Sequence, residues 1–336
     1  MSTHRLSVDG LRAYLHCPRR YEFAHVHELA ADDDDPVGRR RLELVRAAIC
    51  DALRTDETEP RAIATDAVTH LGERWTEREE RFHSIAQRRH ERRALEATIR
   101  AYVEGVGADH ARGVTRLRET VDGEVVGPRL PLSTSVSLPE RSSTVTVDST
   151  VDYVFVDGPS LTGVRFVPTL ARLGPLRYRS RWEGDVADLF SGHFDRDEDR
   201  FEPDAVGALL ETAVVLDGLR ELRDRLGVDC RTCRYVVIPL ADRSNTAVDW
   251  LRGTVETSLE AVDLTDVFLD HHTFGMTHEH RNRTVERRLT DVLGDVTSSA
   301  FDLGPAWDRI AADACPDCAY RICCEDHVAA EVRFDG

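Results

Sequence analysis

Lysine does not occur in this chain: all 44 basic residues among its 336 are arginine. That absence removes every mechanism built on a titrating ammonium, including a Schiff base and the lysine of a phosphate-binding loop. Arginine is a planar cation of fixed charge and does not replace an ammonium that must lose a proton or orient a water. Nucleotide hydrolysis by the phosphate-loop route is therefore excluded. Also missing is any apolar run near the roughly 18 residues of a membrane span, and the first residues carry no signal-type apolar stretch. The expected location is cytoplasmic. No internal repeat or low-complexity linker interrupts the chain, so a single domain over 1–336 is expected, long enough for a sizeable core.

What is present is acid. There are 61 Asp and Glu, the formal net charge is -17, and hydrophobic residues make up 41%. A globular chain with an acidic, lysine-free surface has the composition of a halophilic protein, whose carboxylates hold water in a high-salt cytoplasm. Such a protein can still bind nucleic acid through a local arginine patch, so net charge alone decides little. Molar salt weakens phosphate contacts steeply, so shape and stacking must contribute more.

Half of the eight cysteines fall in Cys315-Pro-Asp-Cys318-Ala-Tyr-Arg-Ile-Cys323-Cys324. Cys315, Cys318 and Cys324 have the spacing C-x2-C-x5-C, three thiolates in one short segment. Cys17, 298 residues upstream (315 minus 17), is the candidate fourth ligand and would join the two ends of the sequence. Four thiolates suit an iron–sulfur cluster or a structural Zn2+. Ordinary buried thiols or disulfide halves are the alternative, and a reducing cytosol favours metal ligation over disulfides. Cys323 competes with Cys324 for the last ligand position.

The start Leu6-Ser7-x3-Leu11-x2-Tyr14-x2-Cys17-Pro18-Arg19-Arg20-Tyr21, together with C-x2-C-x5-C, resembles the iron–sulfur branch of the PD-(D/E)XK nucleases. That branch includes the CRISPR-associated four-cysteine exonucleases and the nuclease domains of AddAB-type helicase–nucleases. The resemblance implies a [4Fe-4S] cluster on Cys17, Cys315, Cys318 and Cys324, with Zn2+ as the alternative. It implies an α/β, restriction-endonuclease-like core, a mixed central sheet flanked by helices, with a helical insertion and a C-terminal four-cysteine staple. It also implies DNA as partner, in repair, recombination or CRISPR adaptation, alongside a helicase or CRISPR-adaptation protein.

Periodicity supplies the elements. Ser7 caps a short helix with Leu11, Tyr14 and Leu15 on one face, ended by Cys17-Pro18. Asp32 to Asp35 reads as an exposed loop. Residues 37–117 read as a helical insertion capping the core, with 76–93 as one long exposed helix. The nuclease-like core is expected over 118–250. It holds strands at 133–138, 144–156 and 161–167, a turn at Asp157-Gly158-Pro159-Ser160, a helix at 205–226 and a buried strand at 234–240. Residues 251–336 are expected to be helical, at 255–268 and 284–292, before the cysteines.

Phosphodiester hydrolysis in that family needs carboxylates converging on Mg2+ or Mn2+. One Asp ends a strand, and an acid-x-Lys pair lies on the next. A His on an earlier helix and a Gln-x3-Tyr on a later one complete the pattern. Asp152, in Ser149-Thr150-Val151-Asp152-Tyr153, takes the place of the first Asp. The next strand, Leu161 to Thr169, holds no acid, and Gly163-Val164-Arg165 sets only a cation where the lysine belongs. Leu42 occupies the His position, and Glu211 with Val215 is a distant echo of the Gln-x3-Tyr. A lone Asp holds Mg2+ weakly, so the hydrolytic site is expected to be degraded. Ligands migrated to Asp148, Glu183 or Asp185 would instead give an active Mg2+-dependent exonuclease. A third reading is a metal-stapled interaction scaffold with no nucleic-acid role.

Arg19 and Arg20 are candidate phosphate contacts or a solvated pair. Arg177, Arg179 and Arg181 beside Trp182 could hold phosphates and stack a base, or flank a core Trp. Cys230-x2-Cys233 reads as idle thiols before a metal or redox pair, and Cys50 as core. His271, His272, His278 and His280 read as an exposed loop before a second metal site.

Overall fold

Val145, Val147 and Val151 are buried while Thr146, Asp148 and Thr150 are only half-buried, and this period of two makes the stretch the spine of a sheet. The computed structural model describes residues 3–30, 36–77, 82–181, 185–195, 200–269 and 281–331. In chain order, β1 (Thr3–Ser7) leads into α1 (Val8–His16) and α2 (Pro18–Tyr21). Four longer helices follow: α3 (Pro36–Leu53), α4 (Pro60–Thr76), α5 (Ile85–Tyr102) and α6 (Ala108–Arg118). Then come β2 (Val126–Leu138), β3 (Ser143–Asp157), β4 (Ser160–Val167), α7 (Val186–Phe194), α8 (Pro203–Leu226) and β5 (Thr232–Pro239). A hairpin of β6 (Thr246–Asp249) and β7 (Thr254–Thr257) precedes β8 (Val262–Asp263) and α9 (Leu264–Phe268). The last helices are α10 (Arg283–Thr297), α11 (Trp307–Asp313) and α12 (Glu325–Glu331).

β3 is antiparallel to β2, from Leu138 opposite Ser143 to Val126 opposite Tyr153. Its other edge is shared: β1 runs parallel to it along Thr144–Asp148, and β4 antiparallel along Tyr153–Asp157. β4 pairs in parallel with β5, from Ser160 opposite Thr232 to Val167 opposite Pro239, and β8 adds antiparallel beyond β5. The molecule is thus α/β, a mixed central sheet flanked by helices. β4 is buried along most of its length, as a strand inside a covered sheet must be. A parallel pair needs a long crossover, and α8 supplies it between β4 and β5. That helix is buried almost continuously from Pro203 to Leu219, because the sheet lies on one side and α1, α7 and α10 pack elsewhere on its surface. The fit is close at Gly163: a Cβ there would sit 3.0 Å from Leu219 and 3.2 Å from Val151.

The strands expected within 118–250 are β2 to β5, and the expected helix is α8; β1 went unforeseen. The single helix expected over 76–93 is two. Glu77 caps the end of α4, and Ser84 starts α5 by accepting from the Gln87 N–H at 3.1 Å. The helix expected over 255–268 is instead β7, β8 and the short α9. Thr254-Val255-Glu256-Thr257 is β-branched and alternating, and Gly253 at φ +65° supplies the turn that folds it onto β6. The helices of 36–118 are not a separate cap. α3 packs on β2, β3 and β4, α6 packs on β3, and Val45, Ile49, Ile99 and Val114 belong to the same apolar core as Val147 and Leu219. Among the described residues no helix is long and apolar enough to cross a membrane. The expected acidic loop Asp32–Asp35 and the four histidines from His271 to His280 lie outside the described residues.

Candidate functional site

Cys17 is placed by two helices. Its N–H donates to Ala13 O at 3.0 Å to end α1, and Pro18 takes the first position of α2. Its side chain packs with Leu303, Ile310 and Cys315 in a small apolar cluster distinct from the main core, bordered by Phe201 and Trp307. Cys315 N–H donates to Ile310 O at 3.0 Å, closing the end of α11. The next turns carry the other thiols: Cys318 N–H donates to Cys315 O at 3.1 Å and Cys324 N–H to Tyr320 O at 3.0 Å. Cys17, Cys315 and Cys324 are buried and Cys318 half-buried, whereas Cys323 is exposed.

Burial pushes the Cys17 thiol up to about 11, against the N–H groups of Arg20 and Arg19, with Cys318 and Cys315 adding to the rise. Burial also raises Cys315, and Cys318 and Cys324 contribute. Cys17 thus lies within electrostatic reach of Cys315 and Cys318, and Cys315 of Cys318 and Cys324. Left alone, Cys17 and Cys315 are held as neutral thiols; a cationic centre is what would convert them to thiolates. None of the eight cysteines is in a disulfide. Soft, buried sulfur donors fit an iron–sulfur cluster or Zn2+ by their chemistry. Among the described residues, no three His, Cys, Asp or Glu side chains are arranged, as they stand, to hold a metal ion.

Contacts around the thiols hold the same two regions together. Arg19 donates to Asp326 at 2.9 Å, Glu22 at 2.8 Å and Glu325 at 3.3 Å. Tyr320 OH donates to Leu29 O at 2.9 Å, and its ring lies 5.5 Å from that of Phe23. Arg19 is therefore neutralised by three carboxylates within the chain, which leaves little of its charge for a phosphate. Arg20 beside it is half-buried. Arg309 on α11 donates to the carbonyls of Gly192 at 3.4 Å and Asp195 at 3.0 Å, fastening this region to α7. No pattern in the sequence announces that brace.

The positions expected to carry nuclease chemistry form a second, buried site on the sheet. Asp152 is 2% exposed. It accepts from Phe166 N–H at 2.6 Å and Arg129 N–H at 3.3 Å, and pairs with Arg46 Nε at 3.0 Å. Burial raises its pKa even against Arg46 and those N–H groups. Its oxygens tie β3 to β4 and α3. On the next strand Gly163 stands in the acid position with α8 against it, so even a Cβ there would crowd Leu219 and Val151. Arg165, in the lysine position, donates to Glu211 at 2.7 Å. Glu211 also accepts from Arg12 at 2.8 Å and from the Tyr235 hydroxyl. Burial would raise Glu211, but Arg12 and Arg165, with that hydroxyl, hold it down at about 2. Two cations on one buried carboxylate leave neither free to position a water.

The remaining candidates are dispersed. Asp148 pairs with Arg5, and Asp185 caps α7 by accepting from Ala187 N–H at 3.1 Å. Arg177 donates to Glu260 at 3.2 Å and lies 5.3 Å over the Tyr178 ring. Glu183, Trp182 and the side chains of Arg179 and Arg181 lie outside the described residues. Cys50, Cys230 and Cys233 are buried thiols raised by desolvation. A polar chain unseen in the sequence joins Tyr102 OH to Tyr153 OH at 2.8 Å and Tyr153 OH to His110 Nδ1 at 2.6 Å. Next to it, a cavity lined by Tyr102, Val106, Ile238 and Leu259 holds about 20 Å³, room for one water. No family model matches the chain, and no curated protein is detectably similar to it in sequence.

Proposed function

We propose that this chain is an iron–sulfur protein of PD-(D/E)XK nuclease descent that binds DNA, as single strands or ends, with its own hydrolytic centre degraded. The setting is DNA repair, recombination or CRISPR spacer acquisition. The observation that carries the reading is the meeting of Cys17 with Cys315 in one apolar cluster, with Cys318 and Cys324 in electrostatic reach. Those four residues would hold a [4Fe-4S] cluster, or Zn2+ in its place. The group's contribution is cohesion: four sulfur bonds between segments some 300 residues apart in sequence, closing the domain as a structural metal does. The strand order β2, β3, β4, crossover α8 and parallel β5 agrees with a restriction-endonuclease-like core.

The buried sheet site supports the loss of hydrolysis. Phosphodiester cleavage needs two or more carboxylates on a divalent cation and a group that orients the attacking water. Here Gly163 contributes no carboxylate, Asp152 is taken up by backbone and Arg46, and Arg165 is locked to Glu211. The test is incubation of labelled single-stranded DNA with Mg2+ or Mn2+, with Asp152→Ala as control, alongside DNA retention over a salt series. Retention without cleavage is the expected result. Cleavage lost in Asp152→Ala would make the protein an active nuclease, and no retention at any salt would leave only a metal-stapled scaffold.

A further inference from the structure

The β6–β7 hairpin lies outside the central sheet, and no residue of 241–258 enters the main apolar core. It is nevertheless firmly built. Thr246 and Thr257 hydroxyls meet at 3.0 Å, and Asp249 accepts from Leu251 N–H at 2.9 Å and Arg252 N–H at 3.1 Å across the turn. Arg93 of α5 donates to Gly253 O at 2.9 Å, and a Cβ at Gly253 would collide with that guanidinium at the same distance. What this scaffold presents is Trp250, 76% exposed, and Leu251, fully exposed. One face of the indole stacks on His90 of α5 at 5.1 Å, with 29° between the planes. The indole's high exposure leaves the opposite face to solvent.

The helix beneath carries one of the basic stretches of this acidic chain. Ser84 to Arg93 holds four arginines against one glutamate, and that glutamate, Glu91, is buried and paired with Arg41 and Arg243. At about 3.6 residues per turn, Arg93, Arg89, Arg92 and Arg88 sweep from the hairpin side round the solvent face. All four are exposed. Among the described residues the side chains of Arg88 and Arg89 have no partner, and Arg252 at the hairpin tip is 84% exposed. Arg92 pairs with Glu96 at 2.9 Å and Arg252 with Asp249 at 3.7 Å, so the open cations are Arg88 and Arg89. A half-open aromatic face beside those guanidinium groups matches a strand with stackable bases and a phosphate backbone. A duplex offers no such open base face.

We infer that Trp250, backed by His90, and the arginine stripe of α5 form a contact surface for single-stranded nucleic acid. This rests on the DNA-binding reading above and assigns it a place on the molecule away from the buried sheet site. Trp250 stacks a base and the arginines follow the backbone. In high salt the stacking carries more of the affinity, since phosphate contacts are screened and stacking is not.

The experiment is binding of labelled oligothymidylate to the full chain over a salt series, comparing wild type, Trp250→Ala and the double variant Arg88→Ser/Arg89→Ser. These residues lie outside the core, so thermal unfolding of the variants should match wild type. Trp250→Ala is expected to weaken binding ~10-fold at every salt concentration. The arginine pair is expected to lower the log–log salt slope by roughly 1.4, at about 0.7 per contact on a single strand. Indole fluorescence should be quenched by the oligonucleotide in wild type and far less in Trp250→Phe. If wild type binds and the variants are indistinguishable from it, the surface is wrongly assigned while the DNA-binding reading stands. If wild type does not bind, both fall. Variants that bind normally yet change the oligomeric state would identify a protein-contact surface and overturn the assignment.

Discussion

Arg19 reaches Asp326 across 307 residues of sequence, its Nε 2.9 Å from the carboxylate. With Glu22 and Glu325 it forms a polar clasp outside the cysteine cluster. Arg19→Ala should therefore cost about 1 kcal/mol, the scale of a partly exposed ion-pair network. It should also speed loss of bound iron or zinc to a chelator. Thermal unfolding and chelator-release kinetics measure the two effects, and unchanged release would show that the clasp does not guard the site.

Cys17→Ser, Cys315→Ser, Cys318→Ser and Cys324→Ser should each abolish or sharply reduce the iron and acid-labile sulfide of anaerobically purified protein. Cys323→Ser should leave both intact, because Cys323 is exposed while Cys324 is buried. Metal and sulfide analysis per chain decides this. Equal loss in Cys323→Ser would move the ligand by one residue.

Glu211→Ala strands Arg12 and Arg165 in the interior. Removing one member of a buried ionic network typically costs about 3–5 kcal/mol, and a urea titration should show that loss. A change under about 1 kcal/mol would mean that water reaches the two guanidinium groups.

Acid should unfold the protein in two stages. Burial holds His110 neutral, with its pKa down at about 4. Its unfolded form takes a proton below about 6.5 and its folded form does not. Stability from this group is therefore complete above about 6.5 and falls by about 1.4 kcal/mol per pH unit between there and about 4. Glu211, held down at about 2, adds a second loss as pH drops from its ordinary value near 4.5. His193, held down to about 3 by burial and then by Arg309, acts in the same upper window. Unfolding free energy measured against pH tests both stages, and His110→Phe should make the upper one shallower, with His193 supplying the rest.

Asp152→Asn should act on stability and not on chemistry. It removes the charge that faces Arg46 while keeping the shape that accepts from Phe166 N–H at 2.6 Å. The expected outcome is a lower unfolding temperature with metal content and DNA retention unchanged. Lost DNA retention in a folded variant would instead place Asp152 at a working site.

Local pattern carried much of this. The alternation at Val145, Val147 and Val151 announced β3, the apolar face of 205–226 announced α8, and the C-x2-C-x5-C spacing marked the candidate ligands. Errors came where tertiary packing or short-range caps outweighed period. The 255–268 stretch holds enough apolar residues to suggest a helix, yet Gly253 and the β-branched Thr254-Val255-Glu256-Thr257 fold it against α5. The charged 76–93 stretch hid a helix end at Glu77 and a start at Ser84.

Composition and order along the chain by themselves ruled out lysine chemistry, marked the sheet strands and α8, and singled out Cys17 and the C-terminal cysteines as a set. Only the folded chain could say which buried charges meet. Arg165 and Glu211 are 46 residues apart, Arg12 and Glu211 are 199 apart, and no periodicity spans such distances. A charge removed from water must find its opposite wherever the packing of α1, β4 and α8 brings one, so that pairing exists only in three dimensions.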